Sequence, residues 1–115
     1  SSDLSKEFCN IDWHQDCQTV YNHIRGLSPY PAAHTQLISN EGELIEMKVY
    51  TAEVEPGKTE LPVGSVVTDN KKYLKIALSD GFISLKYVQQ AGKKAMAIDD
   101  FLRGTRLEGG WKTSL

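Results

Sequence analysis

The chain has 115 residues, 40% of them apolar and 24% charged, and a formal net charge of −2. That is one domain of ordinary globular composition, too short to hold two cores. No apolar run approaches the ~20 residues of a membrane span. The first residues also lack the basic and apolar blocks of a signal peptide.

Cys9 and Cys17, with no CxxC spacing, argue for free thiols in a cytoplasmic protein rather than a disulfide scaffold. The chain does not begin with Met, which suggests a trimmed fragment, although processing can also remove an initiator Met. Charge is unevenly spread. Residues 1–70 carry four cations against eleven acids (−7), whereas residues 71–115 carry nine cations against four acids (+5). Such polarity raises the odds of an anionic partner, although lysines on sheet edges also serve to block aggregation.

Residues 1–11 read as an extended lead-in. Asp12 and Gln15 have the spacing of a capping box, and Trp13, Cys17, Val20 and Ile24 then share one helical face. The pattern predicts a helix over 13–25, ended by Gly26 at its C′ position with Leu27 closing against Tyr21. Ser28-Pro29-Tyr30-Pro31 cannot continue it and should form a stiff connector.

Five strands are predicted, at 33–39, 43–54, 64–69, 73–78 and 82–88. Asn40-Glu41-Gly42, Asn70-Lys71-Lys72 and Ser79-Asp80-Gly81 punctuate them as turns. In the second strand the apolar parity shifts between Ile45, Met47, Val49 and the later Ala52, Val54, which predicts a bulge near Thr51. Residues 55–60 read as a long polar loop. Asp80-Gly81 is expected to supply positive φ angles to a two-residue hairpin. Beyond it Ile83, Leu85 and Tyr87 should share one face, with Ser84 and Lys86 on the other.

That strand ends on Gly92 and two lysines. A short helix over 98–103 follows, its Asp99 and Asp100 complementing the helix dipole and Gly104 ending it. One helix ahead of five short antiparallel strands indicates a mainly β domain, a small and partly open OB-like barrel spanning 12–115.

No catalytic constellation is visible. His14, His23 and His34 lack metal spacing, Cys17 sits on an apolar face, and Gly92-Lys93-Lys94 lacks the rest of a P-loop. The chain reads as a binding module without a cofactor or metal of its own. Its candidate polyanion surface comprises Lys93, Lys94, Arg103, Arg106 and Lys112, with Lys75 and Lys86 on outward faces of adjacent strands. Tyr73 and Phe82 have outward parity and could stack on bases, though pairing across strands is the favoured role.

Two blocks carry a family resemblance. Ile24-Arg25-Gly26-Leu27-Ser28-Pro29-Tyr30-Pro31-Ala32-Ala33-His34-Thr35 resembles the IRGLxPWPGAWT junction of the folate-dependent formyltransferases. Asp80-Gly81, Val88-Gln89-Gln90-Ala91-Gly92-Lys93-Lys94-Ala95-Met96 and Phe101-Leu102-Arg103-Gly104 resemble that family's DG…VQxAGKKxM…FLRG ending. The order and spacing hold from about Ile11 to Gly104. Tyr30 stands where the family has Trp, Ala32 where it has Gly, and His34 where it has a second aromatic; all three read as packing positions.

The resemblance is to the C-terminal domain of the members that formylate methionyl-tRNA. It implies an OB-like domain offering a basic face to tRNA, with Lys93 and Lys94 foremost and Arg103 from the FLRG block. It also implies an interdomain junction at Arg25, Pro29, Tyr30 and Pro31, where Arg25 has a structural role at least as readily as an RNA contact. Catalysis with 10-formyltetrahydrofolate as co-substrate would belong to a separate N-terminal Rossmann-like domain of the same protein, and this fragment would be an inactive monomer on its own. The alternative is a packing or substrate-positioning domain of another formyl-folate enzyme, a sugar-nucleotide formyltransferase or a formyl-folate hydrolase or dehydrogenase, with no RNA role.

Overall fold

The computed structural model describes residues 10–27, 32–58, 60–107 and 110–113. Cys9, most of the lead-in and the Ser28–Pro31 connector, with Pro29, Tyr30 and Pro31 of the expected junction, lie outside the described residues.

The first helix among the described residues, α1 (Cys17–Leu27), begins four residues later than expected. Asp12 does not cap it. The Asp12 carboxylate accepts the backbone N–H of His14 at 3.0 Å, forming a side-chain turn that carries Trp13 into the core. There the Trp13 indole donates to Thr35 Oγ1 at 3.0 Å. The donor at the helix start is satisfied from far away, where Asp80 Oδ1 accepts the Cys17 N–H at 3.0 Å. Cys17, Val20, Ile24 and Leu27 are buried on one face, as the spacing predicts. Gly26 stays helical, and the helix runs on to Leu27. Its carbonyl accepts the Ala32 N–H at 2.8 Å, with Ala32 at φ 74°. The position where the resembling family has glycine therefore demands left-handed backbone rather than packing alone.

The strands are β1 (Ala33–Ile38), β2 (Leu44–Pro56), β3 (Val66–Thr68), β4 (Leu74–Leu78), β5 (Gly81–Gln90), β6 (Ala95–Ala97) and β7 (Lys112–Thr113). Between β6 and β7 lies the second helix, α2 (Ile98–Gly104). The sheet runs β3-β4-β5-β2-β1-β7, with β6 on β5. The pairing between named strands is antiparallel throughout. The five predicted strands are all present, and β2 continues through Pro56 into the stretch expected to be loop, because Glu55 and Pro56 pair with Phe82 and Gly81.

The barrel is more nearly closed than five strands would allow. Thr113 N–H bonds Gly64 O at 2.7 Å and Val66 N–H bonds Trp111 O at 3.1 Å, while Thr113 also pairs with Leu37. The short β7 thus stitches the β1 edge to the β3 edge. Two residues of strand carry no readable periodicity, so sequence pattern alone does not show it.

β2 and β5 form the spine, and the expected bulge is there as a back-to-back pair. Val49 faces Val88, Thr51 faces Tyr87 and Ala52 faces Leu85, so Tyr50 is the extra residue in β2 and Lys86 the extra one in β5. The doubled bulge resets parity on both strands. Met47, Val49 and Ala52 point inward on β2, and Ile83, Leu85 and Val88 on β5. Tyr87, expected to share the buried face of Ile83 and Leu85, is instead 42% exposed. Around this spine Trp13, Ile24, Leu74, Ile76 and Phe101 complete one continuous core.

The Asp80-Gly81 turn holds a further correction. Leu78 pairs with Gly81 across it, yet no residue of the turn has positive φ. Glycine is required there by proximity. A Cβ at Gly81 would lie 2.5 Å from Glu55 O and 3.2 Å from Cys17 Sγ.

Candidate nucleic-acid interface

The turn between β5 and β6 presents Lys93 and Lys94. Gly92 adopts φ 81°, which lets the Lys93 N–H return to Gln90 O at 2.9 Å. Two outside contacts hold the turn in place. Ala91 N–H bonds Glu46 O at 2.9 Å, and the Gln89 side-chain amide donates to Lys93 O at 2.7 Å. Both lysines are exposed, and neither makes an ion pair among the described residues. A preorganised turn carrying two exposed ammonium groups suits phosphate, because little backbone order is lost on binding.

β6 leads directly into α2, whose Ile98, Phe101 and Leu102 are buried while Arg103 faces solvent. Arg103 lies 3.9 Å from Asp100 on the same exposed surface, a separation that leaves it open to competition by phosphate. Beyond α2, the Leu107 N–H bonds Asn70 Oδ1 at 2.7 Å. That bond draws the Arg106 segment against the turn between β3 and β4, which presents exposed Lys71 and Lys72. Asp69 shapes this turn by accepting the N–H groups of Lys71 at 2.9 Å, Lys72 at 2.8 Å and Tyr73 at 3.3 Å. These bonds, led by the one from Lys72, hold its carboxyl below its ordinary value. By local pattern Lys71 and Lys72 read only as turn residues. Adjacent lysines in a hairpin tip were the available signal, but their neighbourhood with Arg106 is a tertiary fact.

Lys75 and Lys86 are held in ion pairs. Lys75 Nζ lies 2.5 Å from Glu55 Oε2, beneath which Tyr73 and Phe82 place their rings at 4.8 and 6.0 Å. Those aromatics cradle a lysine rather than facing each other or offering an open stacking surface. Lys86 pairs with Glu53 at 3.6 Å in an exposed contact. β2 lies against β5 and β5 against β4, so Glu53 and Glu55 of β2 reach Lys86 and Lys75 and neutralise part of the charge asymmetry seen along the chain. Lys112 is exposed on β7 at the barrel seam, where it bridges to Ser65 just ahead of β3. Arg25 is exposed at the end of α1, 5.8 Å from the Tyr21 ring.

Among the described residues no cluster of His, Cys, Asp and Glu could hold a metal ion. No helix there is long and apolar enough to cross a membrane. Burial pushes the Cys17 thiol up to about 12, with Asp80 adding to the effect, so it is no nucleophile.

A nearly closed antiparallel barrel with a leading helix and a lysine-bearing rim defines a small OB-like domain. Comparison with known proteins gives it a family. Residues 3–106 match the family described as "Formyl transferase, C-terminal domain", and the chain belongs to that family. It is 51% identical over 109 residues to a methionyl-tRNA formyltransferase of Bacteroides thetaiotaomicron, covering 95% of this chain and 34% of that protein. It is 50% identical over 101 residues to that of Parabacteroides distasonis, covering 88% and 31%. A Streptococcus pyogenes protein of the same name is 46% identical over 104 residues, covering 90% and 31%. The chain spans about a third of the length of these relatives.

Proposed function

We propose that this chain is the tRNA-binding C-terminal domain of a methionyl-tRNA formyltransferase. The whole protein would transfer a formyl group from 10-formyltetrahydrofolate to the amino group of methionine on initiator tRNA, in translation initiation. Chemistry would belong to an N-terminal Rossmann-like domain, consistent with relatives about three times as long as the match. The observation that carries the reading is the Lys93–Lys94 turn, held by Glu46 and Gln89 so that both ammonium groups face outward. Lys71, Lys72, Arg103 and Arg106 extend the basic surface. Its contribution is electrostatic and uniform across tRNAs, since phosphate contacts carry no base identity.

The test is a salt series of tRNA binding by the chain and by its Lys93→Ala/Lys94→Ala variant. The expected result is weaker binding to initiator and elongator tRNA alike, with the salt slope reduced by about 1–2. Equal affinities at every salt concentration would refute it. Neutralisation of Lys75 and Lys86 by Glu55 and Glu53 favours a second reading, a packing domain of another formyl-folate enzyme. Failure of the unmutated chain to bind any tRNA at low salt would select it.

A further inference from the structure

The paired bulges leave two tyrosines on the outer face of the barrel. A bulge disrupts ladder hydrogen bonds and re-aims side chains. Here Tyr50 is the extra residue of β2, and Tyr87 lies beside the extra Lys86 of β5. The two rings meet edge to face, with centroids 6.1 Å apart and planes at 64°. The Tyr50 hydroxyl donates to Gln89 Oε1 at 2.6 Å, and the Gln89 amide in turn donates to Lys93 O at 2.7 Å. Two hydrogen bonds thus tie the aromatic pair to the lysine turn. On the other side a cleft of about 280 Å³ separates Tyr50 and Thr51 from α1, with Tyr21 and Arg25 on its wall. The exposed Tyr87 ring, braced by the half-buried Tyr50 and lying between Arg25 and the lysine turn, matches an unpaired nucleotide strand, which offers bases to stack and phosphates to pair.

We infer that Tyr50 and Tyr87 form a stacking platform for unpaired nucleotides of RNA, whose phosphates run toward the Lys93–Lys94 turn. This rests on the RNA-binding reading above and adds to it a preference for single strands that uniform electrostatics does not supply. Binding is measured with fluorescent oligo(A) and with an oligo(A)·oligo(U) duplex, for the chain and for Tyr87→Ala, Tyr87→Phe, Tyr87→Leu and Lys93→Ala/Lys94→Ala. Tyr87→Ala should weaken oligo(A) binding by about tenfold with an unchanged salt slope, and leave the duplex unaffected. Tyr87→Phe should bind as the parent does. Tyr87→Leu keeps apolar bulk without a π-face and should bind as weakly as Tyr87→Ala, which guards against a folding defect in the smaller variant. Oligo(A) affinity unchanged in both Tyr87→Ala and Tyr87→Leu overturns the platform, while a loss in the lysine variant still upholds the electrostatic reading. Weakening in the tyrosine variants with none in the lysine variant upholds the platform and overturns the lysine assignment. Absence of binding to either RNA by the parent chain overturns both.

Discussion

Replacing Gly81 with Ala tests how the barrel and its leading helix are joined. Gly81 lies between Pro56 on β2 and Leu78 on β4, paired with both, so its backbone has little room to retreat. An added Cβ would stand 2.5 Å from Glu55 O, 3.1 Å from Pro56 Cα and 3.2 Å from Cys17 Sγ. Two of those atoms are backbone, and the third is a buried thiol at the start of α1 beside the Asp80 contact. Overpacking of this kind costs ~1–3 kcal/mol, and the backbone contacts put Gly81→Ala at the upper end. Near ~4 °C of melting temperature per kcal/mol, the expected drop is about 10 °C. Urea unfolding should show a lower midpoint with the slope unchanged.

Gly92→Ala is the control. Gly92 has φ 81° with nothing within 4 Å of its added Cβ, so only the left-handed backbone penalty applies, about 1 kcal/mol. Adding Cys17→Ala to Gly81→Ala should recover little stability, because the closest contact is the Glu55 carbonyl. A Gly81→Ala variant within ~0.5 kcal/mol of the parent would refute the reasoning. So would a Gly92→Ala variant that is the less stable of the two.

Two further outcomes are expected. In a Cys9→Ser background the Cys17 thiol, buried and held near 12, should resist alkylation at neutral pH. It should react only as fast as the domain unfolds, and rapid labelling of native protein would contradict its burial. Asp69 has its carboxyl depressed by the N–H of Lys72 and then of Lys71, so its stabilising contribution is present above the ordinary value of 3.8. That contribution is lost as pH falls through the lower folded-state value. Stability measured by urea between neutral and acid pH should therefore decline less in Asp69→Asn than in the parent; parallel curves would show that the turn does not depend on that charge.

Much of the fold follows from local pattern. The spacing of Trp13, Cys17, Val20 and Ile24 marks the face that α1 buries, and five runs of β-prone residues become five strands because burying one face needs only correct parity. The parity break near Thr51 announces the bulge. The Gly92-Lys93-Lys94 turn is legible because a glycine at φ 81° is a local requirement. What tertiary structure decided are relations between segments remote in sequence. Asp80 satisfies the Cys17 N–H at the start of α1 from 63 residues away, and the helix begins after Asp16 rather than at its apparent Asp12 cap. Two residues of β7 close the barrel through hydrogen bonds that leave no periodicity. Glu53 and Glu55 meet Lys86 and Lys75 only because β2 lies against β5 and β5 against β4, so charges counted apart along the chain cancel in space. Lys71 and Lys72 join the Arg106 segment through one side-chain bond from Asn70. Local pattern encodes which face of an element is buried; contacts between elements depend on register and closure, and those are settled only when the whole barrel packs.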